Sequence, residues 1–134
     1  MNKHVSRYDF RQARLEDCVL IIEDERPVND ELAEFIEGLG LQVYQEYDGD
    51  AGLAMIRQVL PRVVLIDVQM PRMNGIEVVR IARGSFPDMS LVLMSGAPRA
   101  ELDRLTAGDD KVIILEKPLP LEALREFLRL TFRK

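Results

Sequence analysis

Cysteine is almost missing from this chain. Of 134 residues only Cys18 is a cysteine, so no internal disulfide can form, and its position at the head of an apolar run suits a small packed hydrophobe better than a reactive thiol. Histidine is as scarce, with His4 alone, which leaves a zinc site without its usual nitrogen and sulfur ligands. Long apolar runs are absent too. No segment approaches the ~20 residues needed to span a bilayer, and the opening MNKHVSRYDFRQARLED lacks the apolar core of a signal peptide. A reducing cytoplasm is the expected compartment, with no membrane partner. There is also no excess of positive charge: 18 Lys and Arg stand against 23 Asp and Glu, for a formal charge of −5. That balance gives no overall attraction to nucleic acid, and direct nucleic-acid binding by this chain is not expected. Finally, no repeat and no Pro-, Gly- or Ser-rich linker divides the sequence. At 47% hydrophobic composition it fits one domain able to hide roughly two-thirds of its unfolded surface.

What is present is an alternation. Residues 1–17 are polar, with Lys3, Arg7, Arg11 and Arg14 among scattered apolar positions, and read as a solvated tail rather than a docking arm for an acidic partner. From Cys18 onward, short β-rich runs alternate with segments of helical period, the pattern of a parallel sheet covered by helices. CVLII (18–22) is continuously apolar, as a strand buried on both faces should be. Pro27 suits a first helical position, Val28, Leu32, Phe35, Ile36 and Leu39 form a stripe, and Gly40 is placed to end the helix. A second strand is expected near 41–46. Asp48 and Gly49 lead into a helix carrying Leu53, Ile56 and Leu60, which Pro61 stops before the strand VVLID (63–67). Asn74 can cap a third helix through Ile76, Val79 and Ala82. MSLVLMS (89–95) makes a fourth strand, Pro98 opens a weaker helix with Leu102 and Leu105, and VIIL (112–115) makes a fifth strand. Pro120 opens the last helix, with Leu121, Leu124, Phe127 and Leu128. The count is five β/α units in one α/β domain.

Polar groups collect where these strands end: Glu23 and Asp24 after the first, Asp67 on the third, Ser95 on the fourth, Lys117 just beyond the fifth. In an open α/β sheet the ligand crevice lies outside the carboxyl ends of the strands, so these five residues should converge. Three carboxylates together repel unless a cation separates them. Magnesium fits, because it takes one or two carboxylates, keeps waters and leaves room for phosphate oxygens. Asp67 is then a natural nucleophile toward phosphorus, giving an acyl phosphate. Lys117 can neutralise phosphoryl oxygens, and the Ser95 hydroxyl can donate to an oxygen that arrives with the phosphoryl group. Each residue alone has a plainer role, since acidic residues after a strand often only serve the next helix dipole.

With these residues in place the sequence resembles the receiver domains of two-component response regulators (CheY-like), from about Cys18 to Phe132. The resemblance is carried by the acidic pair in LIIEDE, the acceptor segment LIDVQMPRMNG, the hydroxyl in LMSGA and the lysine in ILEKPL. It divides the chain into a tail (1–17) and a receiver domain (18–134), and implies a doubly wound flavodoxin-like (βα)5 fold with strand order 2-1-3-4-5. It also makes Asp67 the phosphoacceptor, Asp24 a direct magnesium ligand, Glu23 a ligand through water, and the Gln69 main-chain carbonyl the remaining protein ligand. Ser95 and Lys117 become the phosphoryl-binding and coupling residues, and Met70, Pro71 and Gly75 shape the pocket. The implied donor is a phosphohistidine on a sensor histidine kinase or phosphotransfer protein. The output is a changed surface for a downstream protein or an effector domain, so the chain would be a switch rather than an enzyme, catalysing only its own phosphoryl transfer and dephosphorylation. Two departures from the family stand out: Glu23 where Asp is commoner, and Ile114 three residues before Lys117, where an aromatic is usual. The second leaves open a degenerate receiver that binds proteins constitutively. A flavodoxin-like cofactor carrier is disfavoured, because the loop after the first strand reads EDERP instead of a Ser/Thr/Gly-rich phosphate loop.

Overall fold

In the computed structural model, residues 14–106, 109 and 111–133 are described, so most of the expected tail (1–13) lies outside the described residues. Five strands alternate with five helices: β1 (Glu16–Ile22), α1 (Arg26–Glu37), β2 (Gln42–Glu46), α2 (Gly49–Val59), β3 (Pro61–Asp67), α3 (Gly75–Ser85), β4 (Ser90–Ser95), α4 (Arg99–Leu105), β5 (Val112–Glu116) and α5 (Leu121–Thr131). The strands form one parallel sheet in the order β2-β1-β3-β4-β5, the flavodoxin-like α/β arrangement expected.

Strand alternation divides the core in two. Leu20, Ile22, Val64, Ile66, Leu91, Leu93 and Ile114 point toward α2, α3 and α4. Val19, Ile21, Val63, Leu65, Val92 and Met94 point the other way, toward α1 and α5. The central strands are therefore apolar along their middle stretches, 18–22, 63–66 and 91–94, as the unbroken runs in the sequence require. Leu124 and Leu128, a helical turn apart, seat α5 on this second face, and burying each contributes roughly 1.5–3 kcal/mol.

Local chemistry sets the helix starts. Asp48 Oδ1 accepts from the Ala51 amide at 2.8 Å to cap α2, and Asn74 Oδ1 accepts from the Glu77 amide at 3.0 Å to cap α3.

Several details differ from the sequence expectation, among them the start of β3 at Pro61 and not at residue 63. β1 begins at Glu16, two residues early, because the Glu16 amide donates to Leu60 O at 2.7 Å. Arg62 holds this edge through Asp17 Oδ1 (2.9 Å) and Leu15 O (3.3 Å). Pro27 is the second residue of α1, not the first, and α1 ends at Glu37, with Gly40 (φ 87°) turning the chain beyond it. On α1 the buried stripe runs through Asn29, Leu32, Ala33 and Ile36, so Asn29 takes the place expected for Val28. Leu121, expected in the core, is 43% exposed, since α5 buries the stripe of Leu124 and Leu128 and leaves its first residue outside it.

Candidate functional site

The carboxyl ends of β1, β3 and β4 and the residue after β5 bring Glu23, Asp24, Asp67, Ser95 and Lys117 to one end of the sheet. Glu23, Asp67 and Ser95 are buried, and Asp24 is half-buried. One carboxylate oxygen from each of Glu23, Asp24 and Asp67 can be chosen so that all lie within 4.8 Å of one another. Lys117 leans into this cluster, its Nζ 3.2 Å from Asp67 Oδ1 and 3.4 Å from Glu23 Oε1. Its own amide donates to Ser95 O at 2.7 Å.

Glu23 is held from several sides. Its amide donates to Glu46 O (3.1 Å), and its Oε2 accepts from the Glu25 amide (3.2 Å). Its carbonyl accepts from Asn29 Nδ2 (3.0 Å), which also reaches Glu46 O (3.0 Å). Asn29 Oδ1 in turn accepts from Gln45 Nε2 at 2.8 Å. This amide joins the ends of β1 and β2 from the buried face of α1. Nothing about a lone Asn in a helix announced it, but its spacing of three, four and seven residues from Leu32, Ala33 and Ile36 was a readable signal.

Burial pushes the Glu23 carboxyl up to about 7, with the neighbouring Asp67 charge adding to the shift against the opposing Glu25 amide and Lys117 ammonium. Burial alone would lower Lys117, but Asp67 and Glu23 together raise it above the ordinary lysine value, so the ammonium stays charged. Ser95 Oγ accepts from the Ala97 amide at 2.9 Å and keeps its own proton for another acceptor. All-oxygen donors, three acids and two of them buried, fit a hard divalent ion such as magnesium.

The loop between β3 and α3 walls the site. The Val68 amide donates to Met94 O (3.0 Å) and the Gly75 amide returns to Val68 O (2.9 Å). A Cβ on Gly75 would overlap the Asp67 carbonyl oxygen and come within 2.9 Å of Ile66 Cγ2, so only glycine fits there without a shift. Met70 is buried in the core, Pro71 and Gln69 are exposed, and Arg72, at φ 69°, reaches Asp48 Oδ2 at 3.8 Å. Ile114 is buried opposite Leu93.

A model of the response regulator receiver domain matches residues 19–129. The chain belongs to the response regulator receiver family. Response regulator MprA of Mycobacterium tuberculosis is 31% identical over 118 residues, 87% of this chain and 50% of that protein, and MprA of Mycobacterium avium is 30% identical over 87% of this chain and 51% of its own. The chain thus spans about half the length of these curated relatives. Among solved structures, a two component transcriptional regulator AraC from Clostridium phytofermentans is similar at 30% identity and TM-score 0.73, over 88% of this chain and 93% of that one. The signal receiver domain of a DNA binding response regulator protein (merR) from Colwellia psychrerythraea shares the fold, at TM-score 0.80 and 22% identity over 89% and 100% of the two chains. For this receiver domain, the acidic pocket of Glu23, Asp24 and Asp67 is consistent with a phosphoacceptor site. Among the described residues no helix is long and apolar enough to cross a membrane.

Proposed function

We propose that this receiver domain accepts a phosphoryl group on the Asp67 carboxylate from a phosphohistidine of a sensor kinase or phosphotransfer protein, and thereby switches a protein-interaction surface. The observation that carries this reading is the position of Asp67: buried at a strand end, 3.2 Å from Lys117 Nζ and grouped with two further acids. In the transfer a carboxylate oxygen of Asp67 forms a bond to phosphorus while the phosphorus–nitrogen bond to the donor histidine breaks. Asp24, Asp67 and the Gln69 carbonyl would hold magnesium directly, and Glu23 would hold it through water. When bound, the ion supplies positive charge against the phosphoryl oxygens. Lys117 adds its ammonium to the same oxygens, and the Ser95 hydroxyl donates to one of them. The half of each curated relative that this chain does not span leaves the downstream partner or effector domain to be identified separately.

Intact-mass measurement after incubation with acetyl phosphate and magnesium tests the acceptor. Wild type should gain one phosphoryl mass, and Asp67→Ala should gain none. Equal gain by Asp67→Ala would move the acceptor elsewhere, and no gain by wild type would leave a receiver that binds partners without phosphorylation.

A further inference from the structure

Arg72 holds a backbone conformation that side chains ordinarily avoid. Its φ is 69°, and the Met73 amide donates back across it to Pro71 O at 2.8 Å, closing a three-residue turn of the rare, strained hand. A non-glycine residue stays in this region only where its surroundings hold it there. The turn lies in the loop between β3 and α3, three residues beyond Gln69.

Two residues at the start of α2 reach it. The Arg72 guanidinium lies 3.8 Å from Asp48 Oδ2 with 75% of the Arg72 side chain exposed, so this pair is long, screened by solvent and contributes little. Gly49 is different. It is buried, and a Cβ there would come within 2.9 Å of both Met73 Cβ and Met73 O, so the Met73 main chain rests directly on bare glycine backbone. Neither Met73 atom can step aside without moving the turn, because one is main chain and the other is bonded to it. Upstream, the buried Met70 and the rigid ring of Pro71 tie the turn to Gln69.

We propose that Gly49 is a positioning residue: by seating Met73 it holds the strained turn at Arg72, and the turn sets where the Gln69 carbonyl stands in the pocket. This rests on the reading of Asp24, Asp67 and the Gln69 carbonyl as the magnesium ligands.

Alanine suits a helix better than glycine, so Gly49→Ala, at the first residue of α2, should not weaken the helix itself. Through Met73 it should weaken magnesium binding about tenfold in a calorimetric titration, and speed exchange of the Met73 amide about tenfold in metal-free protein. Arg72→Val should behave alike, because a branched side chain resists positive φ. Arg72→Gly, which adopts the turn freely, and Asp48→Asn, which keeps the α2 cap, should bind within about twofold of wild type. Gly49→Ala matching wild type in both measurements would overturn the proposal. So would Arg72→Gly falling with Arg72→Val, since the arginine side chain and not the turn would then matter. Faster Met73 exchange with unchanged affinity would disconnect the turn from the pocket. Wild type that takes up no magnesium would instead overturn the ligand reading, and Met73 exchange would still decide whether Gly49 seats the turn.

Discussion

Asn29 Nδ2 lies 3.0 Å from the carbonyl oxygen of Glu23, placing a buried helix amide directly behind an acid of the Glu23, Asp24 and Asp67 pocket. The same nitrogen serves Glu46 O, so the relation fixes two strand ends with one group.

Removing that amide takes the described donor from the Glu23 carbonyl, while Glu46 O keeps the Glu23 amide. Asn29→Ala should cost about 1–3 kcal/mol of stability in urea unfolding, the penalty for orphaning a buried acceptor. Because Glu23 loses its support, magnesium affinity should fall as well. A variant as stable as wild type with unchanged affinity would show that the network does not position Glu23.

Glu23 makes stability depend on pH. Its carboxyl is raised to about 7 by burial, from 4.5. Without metal, the folded chain retains a proton that the unfolded chain releases. The associated stabilisation is therefore fully present below pH 4.5 and is lost as pH rises through about 7, a loss of at most about 3 kcal/mol. Magnesium favours the carboxylate form, so it should raise Tm more at about pH 8 than at about pH 5.5. Equal shifts at both would disconnect Glu23 from the metal.

Gly75 and Gly52 are both closely approached, but by different atoms. A Cβ on Gly75 meets the Asp67 backbone, whereas one on Gly52 meets the movable end of the Ile22 side chain. Gly75→Ala should slow phosphorylation by acetyl phosphate more than tenfold and cost about 1–3 kcal/mol. Gly52→Ala should change stability with little effect on rate. Similar rates for the two variants would show that the loop tolerates displacement.

Gln69 stands two residues beyond Asp67, the proposed acceptor, with an exposed side chain. Gln69→Ala should open the approach of water and shorten the acyl phosphate lifetime severalfold, as read by loss of phosphoryl mass over time. An unaltered lifetime would place the water path elsewhere.

Ile114 is 5% exposed and packs in the same core as Leu93, Leu102 and Val112. Replacing it with Tyr would overfill the site and bury a hydroxyl among apolar groups, costing about 1–3 kcal/mol. Phosphorylation of wild type should still shift amide signals across residues 98–130, by repacking rather than ring rotation. Shifts limited to the Asp67 pocket would contradict this.

The five β/α units, the Asn74 cap and the meeting of Glu23, Asp24, Asp67, Ser95 and Lys117 were legible, because apolar period and strand-end polarity report on short-range structure. Strand order came from family resemblance, since no local pattern specifies which strands neighbour each other. Asn29 was passed over because an amide on a helix usually faces water, and its partners are carbonyls that sequence does not display. The early start of β1 rests on backbone bonding to Leu60 and the grip of Arg62, neither visible as an apolar pattern. The exposed Leu121 shows the converse: an apolar residue at a helix start need not share the buried stripe.

Lys117 ties together more of the molecule than its charge suggests. Standing after β5, it holds β4 through its amide on Ser95 O, β3 through Asp67 and β1 through Glu23. Four of the five strand ends are thus laced by one residue. On the proposed phosphorylation of Asp67, a change in what the Lys117 ammonium grips would alter the tension on its own backbone and the seating of the turn into α5. Mechanical slack taken up or let out along a single side chain would then carry the change from pocket to surface without a swinging ring.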